Sequence, residues 1–349
     1  MNHRLGVYKK PCRGTRAGER SGRHESEILK TRLVILCDPR DVAVRLLVPE
    51  LLRQIVARSD CSCAALVMTH SEPTGFRSLR HWGRRLDRGL QAALGSGRLD
   101  RAVSIPPLAA GRLGRRYAIP VLLAPEGDPN HPKIRERLGR DLQADVALSL
   151  YCKTRFKEPL LSSFDMGINY HNGALPRFRG LRASNWSLYL EEPTSGYTFH
   201  RMDSGLDTGG VLAEGAVPVL AVDTPADLEA RKAEAACLVL PQVIDAAVRR
   251  DTGRAQAGMA GNHNRQAFLS ATQVEDPSAL THAEWLRRLR AFLRIKTNIA
   301  GNWFQVTGVV PTDGPHRLAF RTADGRWLRV GSVDFLPSWL ARPTLTDGD

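Results

Sequence analysis

The segments RLVILCDP (residues 32–39) and CAALVMTH (residues 63–70) decide the fold of this 349-residue chain. Each is rich in branched apolar residues, a pattern typical of strands buried on both faces of a parallel sheet. Between them, residues 42–56 carry apolar side chains at helical spacing: Val44, Leu47, Val48, Leu51, Leu52 and Ile55. A strand, a helix and a strand at this spacing form a βαβ unit. The sequence therefore predicts an α/β fold with a doubly wound, mostly parallel sheet.

The same alternation continues along the chain. Further strands are predicted at 118–125, 145–151, 167–172, 196–202 and 211–219. Further helices are predicted at 132–142, 183–192 and 225–249, with a short connector at 160–164. The helix from 225 follows a capping pattern, because Thr224 precedes a first-turn Pro225 and Asp227.

The chain after residue 250 changes in composition. Residues 251–280 begin with a polar, Gly-rich stretch, which we interpret as a linker. Residues 281–349 then predict one helix and three short strands, forming a small C-terminal α+β unit. The catalytic domain is accordingly expected to span residues 31–250.

The net charge of +14 is concentrated in two segments. Residues 1–30 hold eight Lys/Arg and three Glu, and residues 76–116 hold ten Arg and two Asp. We interpret the first segment as a disordered basic extension and the second as an Arg-rich insertion in the catalytic domain. Such charge could bind RNA phosphates, but no RNA-reading motif accompanies it. A nucleic-acid partner is therefore not favoured.

The remaining composition argues against membrane and metal classes. No apolar run approaches the roughly 20 residues that a bilayer span needs, and no signal peptide follows Met1. We therefore expect a cytoplasmic protein without a membrane partner. The six cysteines include no CxxC pair and no His/Cys cluster, so we predict reduced thiols and no metal.

Polar residues suited to carbonyl chemistry lie at the end of the strand predicted at 167–172. Asn169 and His171 are two apart on this strand, so their side chains lie on one face. Asp207 follows in a Gly-rich turn, Gly-Leu-Asp-Thr-Gly. An amide and an imidazole can stabilise an oxyanion, and a carboxylate can orient the imidazole or accept a proton. We predict that these three residues catalyse acyl or formyl transfer without a covalent enzyme intermediate.

Three motifs in this region resemble the catalytic core of a known family of formyltransferases. They are Asn-Tyr-His at 169–171, Leu-Pro-Arg-Phe-Arg-Gly at 175–180 and Gly-Leu-Asp-Thr-Gly at 205–209. That family includes methionyl-tRNA formyltransferase, phosphoribosylglycinamide formyltransferase and the sugar N-formyltransferases. The resemblance implies a Rossmann-like formyltransferase fold and N10-formyltetrahydrofolate as co-substrate. It also implies that Asn169, His171 and Asp207 are the catalytic residues.

The resemblance implies binding residues as well. The co-substrate is expected to contact Tyr151, Cys152, Lys153, Thr154, Arg155, Phe156, Gly205 and Leu206. The loop on the acceptor side is expected to involve Pro176, Arg177, Arg179 and Gly180. Relatives are more apolar around residues 153–155, and a basic side chain there could instead meet the glutamate tail of folate. His200 is expected to contact the catalytic residues and support their positions.

The acceptor remains open at this stage. The housekeeping methionyl-tRNA enzymes carry Phe-x-Gly-[Thr/Ser]-Pro after the first strand, whereas this chain has Cys37-Asp38-Pro39-Arg40. Its C-terminal unit is also short for a tRNA-binding barrel. We therefore expect a primary amine on a small molecule, such as a nucleotide-linked amino sugar. The alternatives are an enzyme with an RNA acceptor, a formyltetrahydrofolate hydrolase, and a non-catalytic RNA-binding protein.

Overall fold

The computed structural model describes residues 30–70, 108–261, 263–316 and 318–334. Nearly all of the predicted basic extension and most of the Arg-rich insertion at 76–116 lie outside these ranges. The described residues form two sheets, one of seven strands and one of five.

Seven strands form the first sheet. They are β1 (Thr31–Cys37), β2 (Cys61–Met68), β3 (Val121–Leu123), β4 (Val146–Leu150), β5 (Met166–His171), β6 (Thr194–Arg201) and β7 (Val211–Pro218). Their order is β3-β2-β1-β4-β5-β6-β7. Strands β1 to β5 pair in parallel, and β6 and β7 are antiparallel. The predicted α/β fold with a mostly parallel sheet is confirmed.

Strand β1 shows why an apolar run is needed here. Leu33 and Ile35 belong to the core on one face of the sheet, and Val34 and Leu36 belong to the core on the other face. All four side chains are fully buried. Because successive side chains of a strand point to opposite faces, only a continuous apolar segment can supply both cores.

Nine α-helices accompany the strands in the described ranges. They are α1 (Val42–Val56), α2 (Ala110–Tyr117), α3 (Pro132–Glu136), α4 (Glu158–Leu161), α5 (Ala183–Tyr189), α6 (Pro225–Cys237), α7 (Leu240–Arg249), α8 (Arg265–Thr272) and α9 (His282–Phe292). Helix α1 has the predicted bounds, continues through Pro49 and buries the predicted apolar side chains. Asp41 caps it by accepting a hydrogen bond from the Ala43 N–H at 3.0 Å. The loop after β1 is thus short and tightly closed.

The single helix predicted at 225–249 is instead two helices, α6 and α7. Pro241 explains the break, because proline lacks an N–H and its ring clashes with the carbonyl four residues earlier. That carbonyl belongs to Cys237, where α6 ends. The predicted start is confirmed: the Thr224 side chain accepts from the Asp227 N–H, and the Asp227 carboxylate accepts from the Thr224 N–H.

Several other boundaries differ from the predictions. Strand β3 is shorter than 118–125, because the chain leaves α2 through Ala118 in a left-handed conformation, with φ 53°. Helix α3 continues as a π-helical turn over Arg137–Asp141. The predicted connector at 160–164 overlaps helix α4, and α5 ends at Tyr189 instead of residue 192.

Five strands form the second sheet. They are β8 (Gln273–Val274), β9 (Ile295–Ile299), β10 (Asn302–Pro311), β11 (Ala319–Arg321) and β12 (Trp327–Asp334). Their order is β11-β12-β10-β9-β8. The sequence pattern predicts the last three strands but not β8 or β9. In β9, buried positions alternate with half-buried Lys296 and Asn298, and the polar residues hide the strand pattern.

The segment 251–280 is more ordered than the linker predicted there. It contains α8 and β8, and its backbone pairs with the first unit at Val211–Arg254 and Gly180–His263. The C-terminal unit also packs against α5, where the Asn185 side chain donates to the Ala291 carbonyl at 2.6 Å. Gln256, Gly261 and His263 therefore lie beside the 175–180 loop. The proposed domain division remains a prediction.

Candidate active site

Strand β5 brings Asn169 and His171 to the carboxyl edge of the sheet. It pairs in parallel with β4 and antiparallel with β6, and Asn169 lies opposite His200 across the β5–β6 pair. Ligands of open α/β sheets bind at the carboxyl ends of the strands. The predicted placement of both side chains on one face is consistent with their contacts, because Asn169 contacts His200 and His171 lies near Asp207.

The hydrogen bond of His171 decides which ring nitrogen faces the site. Its Nε2 lies 2.7 Å from the Phe178 carbonyl oxygen, so Nε2–H donates to that oxygen. Nδ1 then faces Asp207, 3.6 Å from Oδ2. Burial lowers the pKa of His171 below 6.5, although the Asp207 carboxylate partly opposes this effect. The ring is therefore neutral at pH 7, and its Nδ1 is an acceptor.

His200 orients the side chain of Asn169. Its Nδ1–H donates to the Arg201 carbonyl at 2.7 Å, which leaves Nε2 as an acceptor in the neutral ring. The Asn169 amide nitrogen lies 3.1 Å from this Nε2 and donates to it. This contact directs the amide and leaves its second N–H available. His200 also lies 3.6 Å from Asp207 Oδ1, and its supporting role remains a prediction.

Asp207 lies between the two imidazoles, on the turn that joins β6 to β7. Its Oδ2 accepts a hydrogen bond from the Gly180 N–H at 3.2 Å. Burial would raise the pKa of Asp207, but contact with His200, the charge of His171 when that ring is protonated, and the Gly180 N–H outweigh burial and hold the pKa below 3.8. At 3.6 Å, the two imidazole contacts are too long for hydrogen bonds.

The resulting arrangement combines one donor with two available acceptors. The donor is the second N–H of Asn169, whose first N–H is held by His200, and the acceptors are the Asp207 carboxylate and Nδ1 of His171. Such a group can accept a proton and stabilise an oxyanion through the amide. His171 adds a second N–H towards a substrate only after Nδ1 is protonated, because Nε2–H already donates to Phe178.

Gln256 contacts the turn that carries Asp207, although sequence reasoning placed it in a linker. Its amide nitrogen donates to the Asp207 carbonyl at 2.8 Å and to the Gly209 carbonyl at 2.9 Å. The predicted loop residue Arg179 also donates to the Asp207 carbonyl, at 3.2 Å, and to the Gln256 side-chain oxygen, at 2.8 Å. No sequence pattern marks Gln256, because it lies 49 positions from Asp207.

Lys232 and Glu229 of α6 support the chain just after His171. Lys232 is fully buried and donates to the Asn172 carbonyl and the Ser184 hydroxyl, each at 2.5 Å. The Ser184 hydroxyl donates to Glu229 at 2.5 Å, and the Asn172 side chain donates to the same carboxylate oxygen. Burial raises the pKa of Glu229 and lowers that of Lys232. Sequence analysis did not single out either residue, since both lie within an ordinary helix pattern.

The segment expected to bind the co-substrate follows β4, and its residues differ in burial. Tyr151 and Cys152 are half-buried, and the Thr69 hydroxyl lies 3.4 Å from Cys152 Sγ. Phe156 is buried in a core cluster and is not at the surface of the site. Lys153, Thr154 and Arg155 are exposed.

The exposed basic residues of this segment already have protein partners. Lys153 Nζ lies 3.1 Å from Asp38 Oδ2, and Arg155 donates to the Ser204 carbonyl. The second contact brings residues 151–156 to the turn that carries Gly205, Leu206 and Asp207. Leu206 is exposed there, and the Gly205 N–H donates to Asp203 at 3.0 Å.

The remaining loop residues have separate positions. Gly180 contacts the Asp207 carboxylate, as described above, whereas Pro176 is buried and Arg177 is exposed and pairs with Glu192. A cavity of about 400 Å³ lies between this loop and residues 257–261. A second cavity, of about 470 Å³, lies beside the Asp207 turn and is lined by Glu158, Leu161, Ser162, Met202, Asp203 and Ser204.

No helix in the described ranges has both the length and the apolar character to cross a membrane. Among the same residues, no three His, Cys, Asp or Glu side chains are grouped as metal ligands would be.

Residues 123–244 match the family model described as formyl transferase. This range includes Asn169, His171, His200 and Asp207, which form the geometry described above. This part of the chain is a formyl transferase domain. The formyltransferase range also extends from β3 into α7 and so covers the carboxyl edge where these side chains meet.

Several solved structures share this fold. A sugar N-formyltransferase from Shewanella sp is 15% identical with a TM-score of 0.55, covering 80% of this chain and 97% of that one. The N-formyltransferase from Helicobacter canadensis, solved with folinic acid and dTDP-3-aminofucose, is 16% identical with a TM-score of 0.53. The match covers 86% of this chain and 98% of that one. A 4-N formyltransferase from Francisella tularensis is 18% identical with a TM-score of 0.50. The match covers 80% of this chain and 97% of that one.

Proposed function

We propose that this enzyme transfers a formyl group from N10-formyltetrahydrofolate to a primary amine of a small molecule, with a nucleotide-linked amino sugar as the first candidate. The observation that carries the proposal is the meeting of Asn169, His171 and His200 around the Asp207 carboxylate. This set offers an oxyanion donor and a proton acceptor in one place, which direct transfer between amines requires.

Two findings support the choice of co-substrate and acceptor. The related Helicobacter canadensis protein was solved with folinic acid and dTDP-3-aminofucose. In this chain, the contact from Arg155 to Ser204 joins the two segments expected to hold the folate, beside the cavity of about 470 Å³. That volume lies in the range of about 300–1,000 Å³ that is usual for small-molecule sites.

The proposed reaction begins when the neutral acceptor amine attacks the formyl carbon. A new C–N bond forms, and the carbonyl oxygen becomes an oxyanion. The second N–H of Asn169 stabilises this charge, because the first is held by His200. Removing one such donor typically costs about 2.7–4 kcal/mol of transition-state stabilisation.

The acceptor group around Asp207 then handles the proton. The attacking nitrogen loses its proton to the Asp207 carboxylate or to Nδ1 of His171, whose positions at 3.6 Å allow the two to share it. Protonated His171 donates Nδ1–H towards the oxyanion. The intermediate collapses as the bond from the formyl carbon to the folate nitrogen breaks, and that nitrogen takes up the proton.

The experiment is an assay with purified full-length enzyme. It is incubated with N10-formyltetrahydrofolate and each of several nucleotide-linked amino sugars, and the acceptors are examined by mass spectrometry. Gain of one formyl group on an amino sugar, together with release of tetrahydrofolate, supports the proposal. The matched control is the Asp207→Asn variant, which should form both products far more slowly.

Two further incubations separate the alternatives. Tetrahydrofolate release without any acceptor would indicate a hydrolase and contradict the transfer reaction. Formylation of methionyl-tRNA, with no amino sugar modified, would contradict the small-molecule acceptor while leaving formyl transfer intact.

A further inference from the structure

The segment 254–263 is attached on both sides of Gln256. On one side, the Val211 and Arg254 backbones exchange two hydrogen bonds of 2.8 Å. On the other, the Gly261 N–H donates to the Pro176 carbonyl at 2.9 Å, and the Leu181 N–H donates to the His263 carbonyl at 2.8 Å. The backbone of this segment is therefore anchored to the start of β7 and to the 175–180 loop, which restricts where the Gln256 side chain can reach.

The side chain of Gln256 binds two carbonyls of the catalytic turn. The carbonyls belong to Asp207 and Gly209, at 2.8 and 2.9 Å from the amide nitrogen. Its oxygen accepts from Arg179 at 2.8 Å, which sets the orientation of the amide and directs both N–H groups to the turn. The bonds flank Thr208, so they define the path of the backbone on which the catalytic carboxylate is carried.

The turn needs such support. Asp207 has φ 52°, in the left-handed region that most residues other than glycine avoid. Residues held in such conformations persist where the surrounding structure determines them. The two contacts from the Asp207 carboxylate to the imidazoles, at 3.6 Å each, depend on this backbone conformation.

We propose that Gln256 is a positioning residue of the active site, which holds the Asp207 carboxylate between His171 and His200 by binding the backbone of its turn. It acts through Asp207 and does not itself contact the reacting atoms. The inference rests on the proposed formyl transfer, for which Asp207 accepts the amine proton.

The test compares Gln256→Met, Gln256→Glu and Gln242→Met in the full chain. Gln256→Met keeps the approximate size and loses both donors, and Gln256→Glu keeps an oxygen for Arg179 but also loses both donors. Gln242 is the matched control, because its amide nitrogen donates to the Leu212 carbonyl at 2.8 Å, away from the catalytic turn. Folding is checked by circular dichroism and thermal unfolding.

The kinetic result expected is a selective loss of kcat. Both Gln256 variants should lose on the order of 10-fold or more in kcat with little change in KM, because a misplacement of about 1 Å can cost about 10²-fold. Gln242→Met should retain wild-type kcat. Equal kcat in wild type and both Gln256 variants would overturn the inference. If the wild-type enzyme formylates no acceptor, the proposed function fails, and the next measurement alone decides the inference.

The second measurement needs no substrate. Histidine-labelled protein is titrated by NMR, with the His171 signal assigned from its absence in His171→Gln. The Asp207 charge raises the pKa of His171, so displacement of the carboxylate in Gln256→Met should lower that pKa further. Gln242→Met should leave it unchanged. A His171 titration that is identical in Gln256→Met and wild type overturns the inference, whatever the activities are.

Discussion

Nδ1 of His171 faces the Asp207 carboxylate at 3.6 Å, with no hydrogen on this nitrogen in the neutral ring. The Phe178 carbonyl determines this state by accepting from Nε2–H at 2.7 Å. Two acceptors that face each other gain an attractive contact when a proton arrives between them. The pair is therefore arranged to receive a proton during the reaction, which is the basis of the first two predictions.

Asp207→Asn is expected to abolish most of the activity. The amide keeps the size of the carboxyl group and its oxygen can still accept from the Gly180 N–H, but it cannot take up the amine proton. We expect kcat to fall by about 10²- to 10⁴-fold, the usual contribution of a general base. Initial rates of formyl transfer measure this. Asp165→Asn, at an exposed residue paired with Arg250, is the control, and near-normal kcat in Asp207→Asn would contradict the assigned role.

The pH dependence of kcat should show an acidic limb below pH 6.5. Burial lowers the pKa of His171 from 6.5, and the neutral ring is the form that accepts a proton, so activity is present above this pKa and is lost as pH falls through it. The pKa of Asp207 lies lower still, below 3.8, and the carboxylate stays ionised across the limb. The profile is measured with saturating acceptor, so that protonation of free amine does not contribute. A limb centred above 6.5 would contradict this interpretation.

Lys232→Met is expected to destabilise the fold. The change leaves the half-buried Glu229 without its neighbouring charge and the Asn172 carbonyl without its donor. Leaving a buried polar group without its hydrogen-bond partner costs about 1–3 kcal/mol of unfolding free energy, measured by urea denaturation. Lys133→Met, at an exposed lysine, should change the stability little. The double variant Lys232→Met/Glu229→Gln should recover part of the loss, and no recovery would argue against the charge interaction.

Gly261→Ala tests the attachment of segment 254–263 to the 175–180 loop. A Cβ at this position would lie 1.8 Å from the Arg177 carbonyl oxygen, so the backbones must separate. We expect a loss of about 1–3 kcal/mol in unfolding free energy, as for overpacking, together with lower kcat. In contrast, a Cβ at Gly139 meets nothing within 4 Å, and Gly139→Ala should be close to wild type in both measurements. Normal kcat in Gly261→Ala would show that the attachment is dispensable.

Local periodicity was enough to predict much of the first sheet. The bounds of α1 follow from apolar spacing, and β1 and β2 follow from branched apolar runs. The break between α6 and α7 could also have been predicted, because Pro241 is a local signal. Strand β9 was harder to recognise, because Lys296, Thr297 and Asn298 are polar and leave apolar residues only at its two ends.

The sequence by itself determined the α/β fold, the shared strand of Asn169 and His171, and the resemblance of three motifs to formyltransferases. These features depend on residues close together in the chain, where side-chain periodicity and turn chemistry act directly. Only the tertiary structure decided that His200 orients Asn169, that Phe178 selects the tautomer of His171, and that Gln256 binds the Asp207 turn. Such contacts join residues far apart in sequence, and they form only when strands and loops pack at one edge of the sheet.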